Sequence, residues 1–166
     1  MKQISAKLLT IVLSLYILSG CALMREQGTE FVGKQAPFAR FTLLDGTPVT
    51  LTSFRGRKVL IAFWATTCSK SKKTLQKLRD IVASQPKKPN IVVLAASVDR
   101  NQNFERVQQK IKELNTSGMQ FAFSGNEGDD EAFRAFNGEY IPYFIYIDPR
   151  GVVSGMGTRN LEDFFK

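Results

Sequence analysis

The residue best suited to chemistry in this sequence is Cys68, because a cysteine thiolate is a strong nucleophile and the chain has one other cysteine, Cys21. The 166 residues include no histidine, which excludes Ser-His-Asp and Cys-His catalytic sites, histidine-ligated zinc and a haem with a proximal histidine. Two cysteines are too few for a four-cysteine zinc or iron–sulfur site. We therefore predict thiol chemistry at Cys68, with no metal and no cofactor.

The sequence around Cys68 favours a reactive thiolate. Cys68 follows a continuous apolar run, Val59–Trp64, typical of a buried central strand, and precedes apolar residues at helical spacing. A cysteine at the start of a helix lies where backbone N–H groups and the helix dipole stabilise negative charge. The Ser71 hydroxyl is expected to donate to the sulfur, and positive charge comes from Lys70, Lys72 and Lys73. The alternative is that Cys68 is a small buried apolar residue without reactivity.

The elements that must position Cys68 predict an α/β fold in one domain, residues 31–166. Phe41–Leu44 and Val49–Leu51 flank an Asp-Gly-Thr-Pro turn and predict a β-hairpin. Ile91–Ala96 predicts a second buried strand, and the apolar spacing from Phe104 to Leu114 predicts an amphipathic helix, which together indicate βαβ connectivity. The remaining predicted elements are a short strand at 121–123, a helix at 129–136, an antiparallel hairpin at 143–156 and a closing helix at 161–165.

Residues 1–20 predict a signal peptide rather than part of the fold. Lys2 and Lys7 precede a mostly apolar run, Leu8–Leu18, that is shorter than the ~20 residues a transmembrane helix needs. The end of this segment, Leu-Ser-Gly-Cys at 18–21, resembles the bacterial lipobox, which implies cleavage before Cys21 and lipid attachment to it. The alternative is a plain secretory signal followed by a chance cysteine.

The lipobox implies a protein of the bacterial cell envelope, with residues 21–30 as the lipidated cysteine and a short tether. Ala22 stands where an aspartate often signals inner-membrane retention, which favours the outer membrane and a domain facing the periplasm. Loss of Lys2 and Lys7 lowers the net charge from +8 to +6. A basic protein favours anionic lipid headgroups or acidic partners, while an envelope compartment argues against nucleic acid.

Several segments, in this order, resemble the redoxin group of thioredoxin-fold proteins, which includes TlpA-type envelope oxidoreductases and relatives of alkyl hydroperoxide reductase. The run VGKQAPFARFTLLDGTPVTLTSFRGRKVLIAFWATTC resembles the opening of the group, and FWATTCSKS at 63–71 resembles its strand-to-helix active site, which carries Cys-x-x-Cys. SVD at 97–99 agrees with the group's pattern. Tyr140-Ile141-Pro142, followed by a strand and IDPRG, resembles the segment in which the family carries a cis-proline.

This resemblance implies a thioredoxin-like fold, with a central mixed β-sheet flanked by helices and an N-terminal β-hairpin extension. It also implies that Pro142 is cis and faces Cys68. The backbone of Ile141 is then expected to bind an extended peptide. The substrate-binding residues implied in this way are Trp64, Thr67, Ile141 and Pro142, and core packing is expected of Trp64 as well.

The sequence departs from the family pattern at the second cysteine, which is Ser71 here. In the dithiol mechanism the second cysteine resolves the mixed disulfide formed by the first, so Cys68 alone needs a thiol from outside the protein. Two positions where relatives carry acidic residues hold Ala62 and Thr74, so both lack a proton acceptor.

Two functions remain open at this point. The first is a membrane-anchored monothiol oxidoreductase in which Cys68 and Ser71 form the catalytic pair. Its mixed disulfides would form with protein thiols or with a small thiol such as glutathione, and the sequence does not identify its redox partner. The second is a non-catalytic envelope lipoprotein that uses the thioredoxin fold as a docking module. Peroxidase activity is disfavoured, because the Thr-x-x-Cys element would need threonine at Ala65 and its upstream proline at Ile61.

Overall fold

The computed structural model describes residues 29–84, 90–115, 117–157 and 161–165, so the predicted signal peptide and Cys21 lie outside the described residues. Along these ranges the strands are β1 (Arg40–Thr42), β2 (Pro48–Thr50), β3 (Lys58–Trp64), β4 (Ile91–Ser97), β5 (Gln120–Phe123), β6 (Tyr143–Ile147) and β7 (Val153–Met156). The α-helices are α1 (Ser69–Ser84), α2 (Phe104–Leu114) and α3 (Glu131–Ala135). Short 3-10 helices lie at Leu51–Phe54, Asn101–Asn103, Glu127–Asp129 and Asp163–Phe165.

The central sheet is mixed and has the strand order β5-β4-β3-β6-β7. β3 pairs in parallel with β4, and β4 pairs in parallel with β5. β6 runs antiparallel to both β3 and β7. The predicted hairpin forms a separate two-stranded sheet of β1 and β2. Its turn places Gly46 at φ +84°, a conformation that glycine adopts readily because it has no Cβ. This arrangement confirms the predicted thioredoxin-like architecture and its hairpin extension.

β3 lies in the middle of the sheet and is buried on both faces, which explains its unbroken apolar sequence. Because successive side chains of a strand point to opposite faces, it contributes alternately to two cores. One core contains Val59, Ile61 and Phe63. The other contains Leu60, Ala62 and Trp64. The strand that leads into Cys68 is therefore fixed by packing from both sides.

Helices cover both faces of the sheet. Leu75 and Leu78 of α1 and Val107 and Leu114 of α2 pack in the core that contains Trp64. On the opposite face, Ala132 and Phe133 of α3 pack beside Phe41 of the hairpin. Among the described residues, no helix is both long enough and apolar enough to cross a membrane.

Two predicted helices differ in the structure from their expected extents. The segment predicted as one helix over 129–136 is a 3-10 turn followed by the five-residue α3, because Asp130 adopts an extended ψ of 124° and caps the second element. The closing helix is a 3-10 turn, Asp163–Phe165, and Phe164 and Phe165 pack against the core beside Leu161.

Candidate active site

Cys68 occupies the N-cap of α1, directly after the loop that leaves β3. Its backbone carbonyl accepts the N–H of Lys72 at 3.2 Å, the first hydrogen bond of the helix. Its sulfur accepts the N–H of Ser71, with 3.5 Å between N and Sγ. The thiol thus takes the place of a capping oxygen and remains partly exposed to solvent.

The pKa of the Cys68 thiol is lowered from its ordinary value. Burial of the sulfur acts in the opposite direction and raises the pKa, and this is the largest single influence. It is outweighed by the Ser71 hydroxyl dipole, the backbone N–H groups of Ser71 and Lys70, and the Lys70 charge. Of the three lysines named from the sequence, Lys70 lowers the pKa of Cys68. The charge of Lys72 lowers the pKa of Glu113 on α2.

Ser71 stands where a second cysteine would stand in a Cys-x-x-Cys motif, one helical turn from Cys68. Its side chain is 0% exposed, and its Oγ makes no hydrogen bond. The Ser71 backbone N–H donates to the sulfur, and the Ser71 hydroxyl lowers the pKa of Cys68, which is the direction expected from the sequence. The site has one thiol and, at the second position, a buried hydroxyl that cannot attack a disulfide.

The loop before β6 lies against Cys68. The Ile141–Pro142 peptide bond is cis, as predicted, and the Cys68 thiol faces the Ile141 carbonyl with 3.7 Å between Sγ and O. Pro142 is buried, whereas Ile141 is half-buried and packs at the edge of the core. The structure therefore brings together the residues that the sequence placed 73 positions apart.

The two other predicted substrate-binding residues differ in their exposure to solvent. Thr67 is exposed, next to Cys68. Trp64 is 1% exposed and belongs to the core under α1, so the expectation that its side chain lines a substrate groove is wrong, while the expected core packing is confirmed. A tryptophan at the end of a strand that is covered on both faces has no open surface to present.

Sequence reasoning missed a buried carboxylate next to this site. Asp99 follows β4 and is 3% exposed. It accepts the backbone N–H and the hydroxyl of Thr66, at 2.8 and 2.6 Å, and the Ser97 hydroxyl at 2.8 Å. The SVD segment carried the signal, because an acid directly after a buried strand beside β3 needs hydrogen-bond partners at that sheet edge.

The two positions where the family places proton acceptors near the cysteine carry Ala62 and Thr74 in the structure. Ala62 is buried in the core, and the Thr74 hydroxyl donates to the Lys70 carbonyl at 2.9 Å within α1. Across the described ranges, no group of three or more cysteine and acidic side chains is placed to hold a metal ion.

The fold and the site together define a thioredoxin-like protein in which a cysteine at the start of a helix lies beside a cis-proline. The thioredoxin domain of a thiol-disulfide oxidoreductase from Bacteroides vulgatus matches with a TM-score of 0.68 at 23% identity, over 81% of this chain and 98% of that chain. A thiol-disulfide oxidoreductase from Bacteroides fragilis matches with a TM-score of 0.65 at 19% identity, over 76% and 92%. A thiol:disulfide interchange protein from Bacteroides sp. has a TM-score of 0.64 and 23% identity, over 80% and 85%.

The family follows from the sequence comparison. The model of the AhpC/TSA family matches residues 32–156, most of the chain. The chain therefore belongs to the AhpC/TSA family, which confirms the resemblance to the redoxin group.

Proposed function

We propose that this protein is a monothiol oxidoreductase that exchanges disulfides through Cys68. The observation that carries the proposal is the position of Cys68 at the N-cap of α1, where its sulfur accepts the Ser71 N–H and its pKa is lowered. A larger thiolate fraction at neutral pH increases the rate at which a thiol attacks a disulfide, which supports a chemical role for this residue.

The exchange proceeds in two balanced steps. The Cys68 thiolate attacks one sulfur of a substrate disulfide, so that a mixed disulfide forms and the other substrate sulfur leaves as a thiolate. A second thiolate then attacks the substrate sulfur of the mixed disulfide and regenerates the Cys68 thiolate. Because Ser71 has no sulfur, this second thiolate comes from the substrate itself or from a small thiol such as glutathione.

The substrate is proposed to be an extended segment of a protein that contains a disulfide or a thiol. Ile141 supports this role, because its carbonyl lies 3.7 Å from Cys68 Sγ in a half-buried loop that a peptide backbone can reach. Thr67 is exposed and precedes Cys68 in the chain, and it is proposed to contact the same segment. Pro142 is buried and, through its cis bond to Ile141, is proposed to set the direction of this loop.

The proposed location is the bacterial cell envelope, with the domain anchored by a lipid on Cys21 and facing the periplasm. The Leu-Ser-Gly-Cys segment at 18–21 supports the anchor, and Ala22 favours the outer membrane. Residues 22–30 form the proposed tether between Cys21 and the domain, and nine residues reach at most ~32 Å when fully extended. Substrates are therefore expected close to a membrane surface.

The test measures adduct formation on the full chain carrying Cys21→Ser, which leaves Cys68 as its single thiol. We expect incubation with oxidised glutathione to give one stable glutathione adduct on Cys68 by mass spectrometry, and dithiothreitol to remove it. Cys68→Ser in the same background is expected to give none. Slow alkylation with the pH dependence of an ordinary cysteine, together with no adduct, would leave the non-catalytic docking function instead.

A further inference from the structure

Asp99 is a buried acid that the exchange cycle itself does not use. Its carboxylate is held by neutral donors, from Thr66, Ser97 and, at 3.5 Å, the side-chain amide of Asn103. Burying a charge costs free energy unless hydrogen bonds compensate it. An acid in this position therefore indicates a need for a hydrogen-bond acceptor, which an apolar residue would not provide.

The hydrogen bonds of Asp99 converge on the loop that carries the cysteine. Both donors of Thr66, its N–H and its hydroxyl, bind the carboxylate, one on each oxygen. On the strand side, the Val98 N–H donates to the Trp64 carbonyl at 2.9 Å. On the helix side, the Cys68 N–H donates to the Ala65 carbonyl at 3.2 Å. The loop between β3 and α1 is thus held by hydrogen bonds at Trp64, Ala65, Thr66 and Cys68.

We propose that Asp99 is a positioning residue for Cys68: by holding Thr66, it fixes the sulfur over the N-terminus of α1 and beside the Ile141 carbonyl. This inference rests on the proposed function, because a fixed sulfur matters only if Cys68 reacts. The carboxylate acts through geometry and not through its charge, since a nearby negative charge disfavours a thiolate.

The first test removes one hydrogen bond and leaves the charge in place. Thr66→Val is nearly isosteric and removes the hydroxyl donor, whereas Thr66→Ser keeps it. In the full chain carrying Cys21→Ser, the rate of alkylation by iodoacetamide is measured against pH. We expect Thr66→Val to raise the apparent pKa of Cys68 by roughly 0.5, which slows alkylation below that pKa about threefold. Thr66→Ser is expected to restore the wild-type profile.

Thr52→Val is the matched control, because Thr52 is exposed in a 3-10 turn away from the site and its loss should leave the profile unchanged. The emission of the single tryptophan, Trp64, which is buried in the native core, shows whether each variant is folded. A natively folded Thr66→Val with the wild-type pKa would overturn the proposal.

The second test compares two neutral replacements of Asp99. It remains decisive if the Thr66→Val variant does not fold to the native structure. Asp99→Asn can still accept the Thr66 N–H, whereas Asp99→Leu cannot, and neither carries charge. We expect the Cys68 pKa to be higher in Asp99→Leu than in Asp99→Asn by roughly 0.5 or more, which slows alkylation below that pKa at least about threefold. Equal and lower pKa values in both variants would show that Asp99 acts through its charge, which contradicts the proposal. The proposed function is tested separately by the glutathione adduct of the chain with wild-type Asp99 and Thr66. Formation of that adduct does not depend on the pKa differences between the variants.

Discussion

The proposed chemistry of this site depends on one pair of residues, a thiol at position 68 and a hydroxyl at position 71. These are the N-cap and the third residue of one helix turn, and the Ser71 side chain points into a fully buried space without a hydrogen-bond partner. A cysteine at position 71 keeps the branching of serine and places a sulfur, which is larger than oxygen, in these fully buried surroundings. The difference between a one-thiol and a two-thiol mechanism therefore lies in a single atom.

Ser71→Cys is predicted to convert the persistent mixed disulfide into a transient one. The new thiolate attacks Cys68 Sγ, forms the 68–71 disulfide and releases the bound thiol. Starting from the glutathione adduct in the Cys21→Ser background, mass spectrometry should show free glutathione and a protein lighter by two hydrogens than its reduced form.

The matched control for this conversion is Ser84→Cys, which adds a thiol at the exposed far end of the same helix. Position 84 lies about 20 Å from position 71 along the helix, at 1.5 Å per residue. We expect its adduct to persist. An adduct equally stable in Ser71→Cys would show that residue 71 cannot reach the sulfur, contrary to the geometry described above.

The lowered pKa of Cys68 predicts a defined pH dependence of reactivity and stability. The thiolate predominates above the folded-state pKa, so alkylation should reach half its maximal rate below the ordinary cysteine value of about 8.5. Because folding lowers this pKa, the thiolate stabilises the folded state at pH values above the unfolded pKa. That stabilisation is lost as the pH falls through the folded pKa.

Urea unfolding measures the stability effect when the wild type and Cys68→Ser are compared at several pH values. The stability of the wild type relative to the variant should rise with pH across this window. A relative stability that falls as pH increases would mean that folding raises the pKa of Cys68.

Among the individual residues, the sequence predicted the cis-proline beside Cys68 and missed the residues that hold the Cys68 loop. Cys68 and Ile141–Pro142 were predicted together, because the motifs that carry them are local and keep their order. The hydrogen bonds between Asp99 and Thr66 were missed, because they join two loops 33 residues apart in the sequence. Neither residue forms part of a recognisable catalytic motif. The exposure of Trp64 was predicted wrongly, because burial depends on the helices that cover a strand and not on the strand itself.

At the scale of elements, patterns identified each strand and helix around the site, while boundaries depended on local hydrogen bonds. The alternating burial of β3 between two cores follows from its apolar run and from the presence of helices on both faces. The division of the 127–135 segment into two short elements does not follow from periodicity. It follows from the Asp130 carboxylate, which accepts the Phe133 N–H at 2.7 Å and starts α3 at that point.

This cap predicts that Asp130→Ala destabilises the protein by about 1 kcal/mol, the usual effect of losing an N-cap acceptor. The neighbouring Asp129 is the matched control, because it forms an exposed ion pair with Arg134 at 3.2 Å, and such pairs contribute about 0–1 kcal/mol. Urea unfolding of the two alanine variants should therefore place Asp129→Ala closer to the wild type. Equal losses in the two variants would contradict the capping role.

At the scale of the whole molecule, the site is a product of sheet topology. Cys68 follows β3, Asp99 follows its parallel neighbour β4, and Ile141–Pro142 precedes the antiparallel neighbour β6. Because β6 runs in the opposite direction, its start lies at the same sheet edge as the ends of β3 and β4. Three adjacent strands thus bring Cys68, Asp99 and the Ile141–Pro142 loop to one edge, where ligands of open α/β sheets commonly bind.

The proposed lipid on Cys21 predicts a membrane attachment that does not depend on salt. Attachment by a lipid on Cys21 and adsorption through the net charge of +6 in the cleaved chain both give a membrane-bound protein, but they respond differently to salt. At about 1 M salt the Debye length falls to roughly 3 Å, which removes electrostatic adsorption, whereas acyl chains stay in the bilayer. We expect the wild type and Cys68→Ser to remain with membranes after a high-salt wash, and Cys21→Ser to be released. Cys21→Ser that resists the same wash would contradict the anchor, because the bound state would then not depend on the lipidated cysteine.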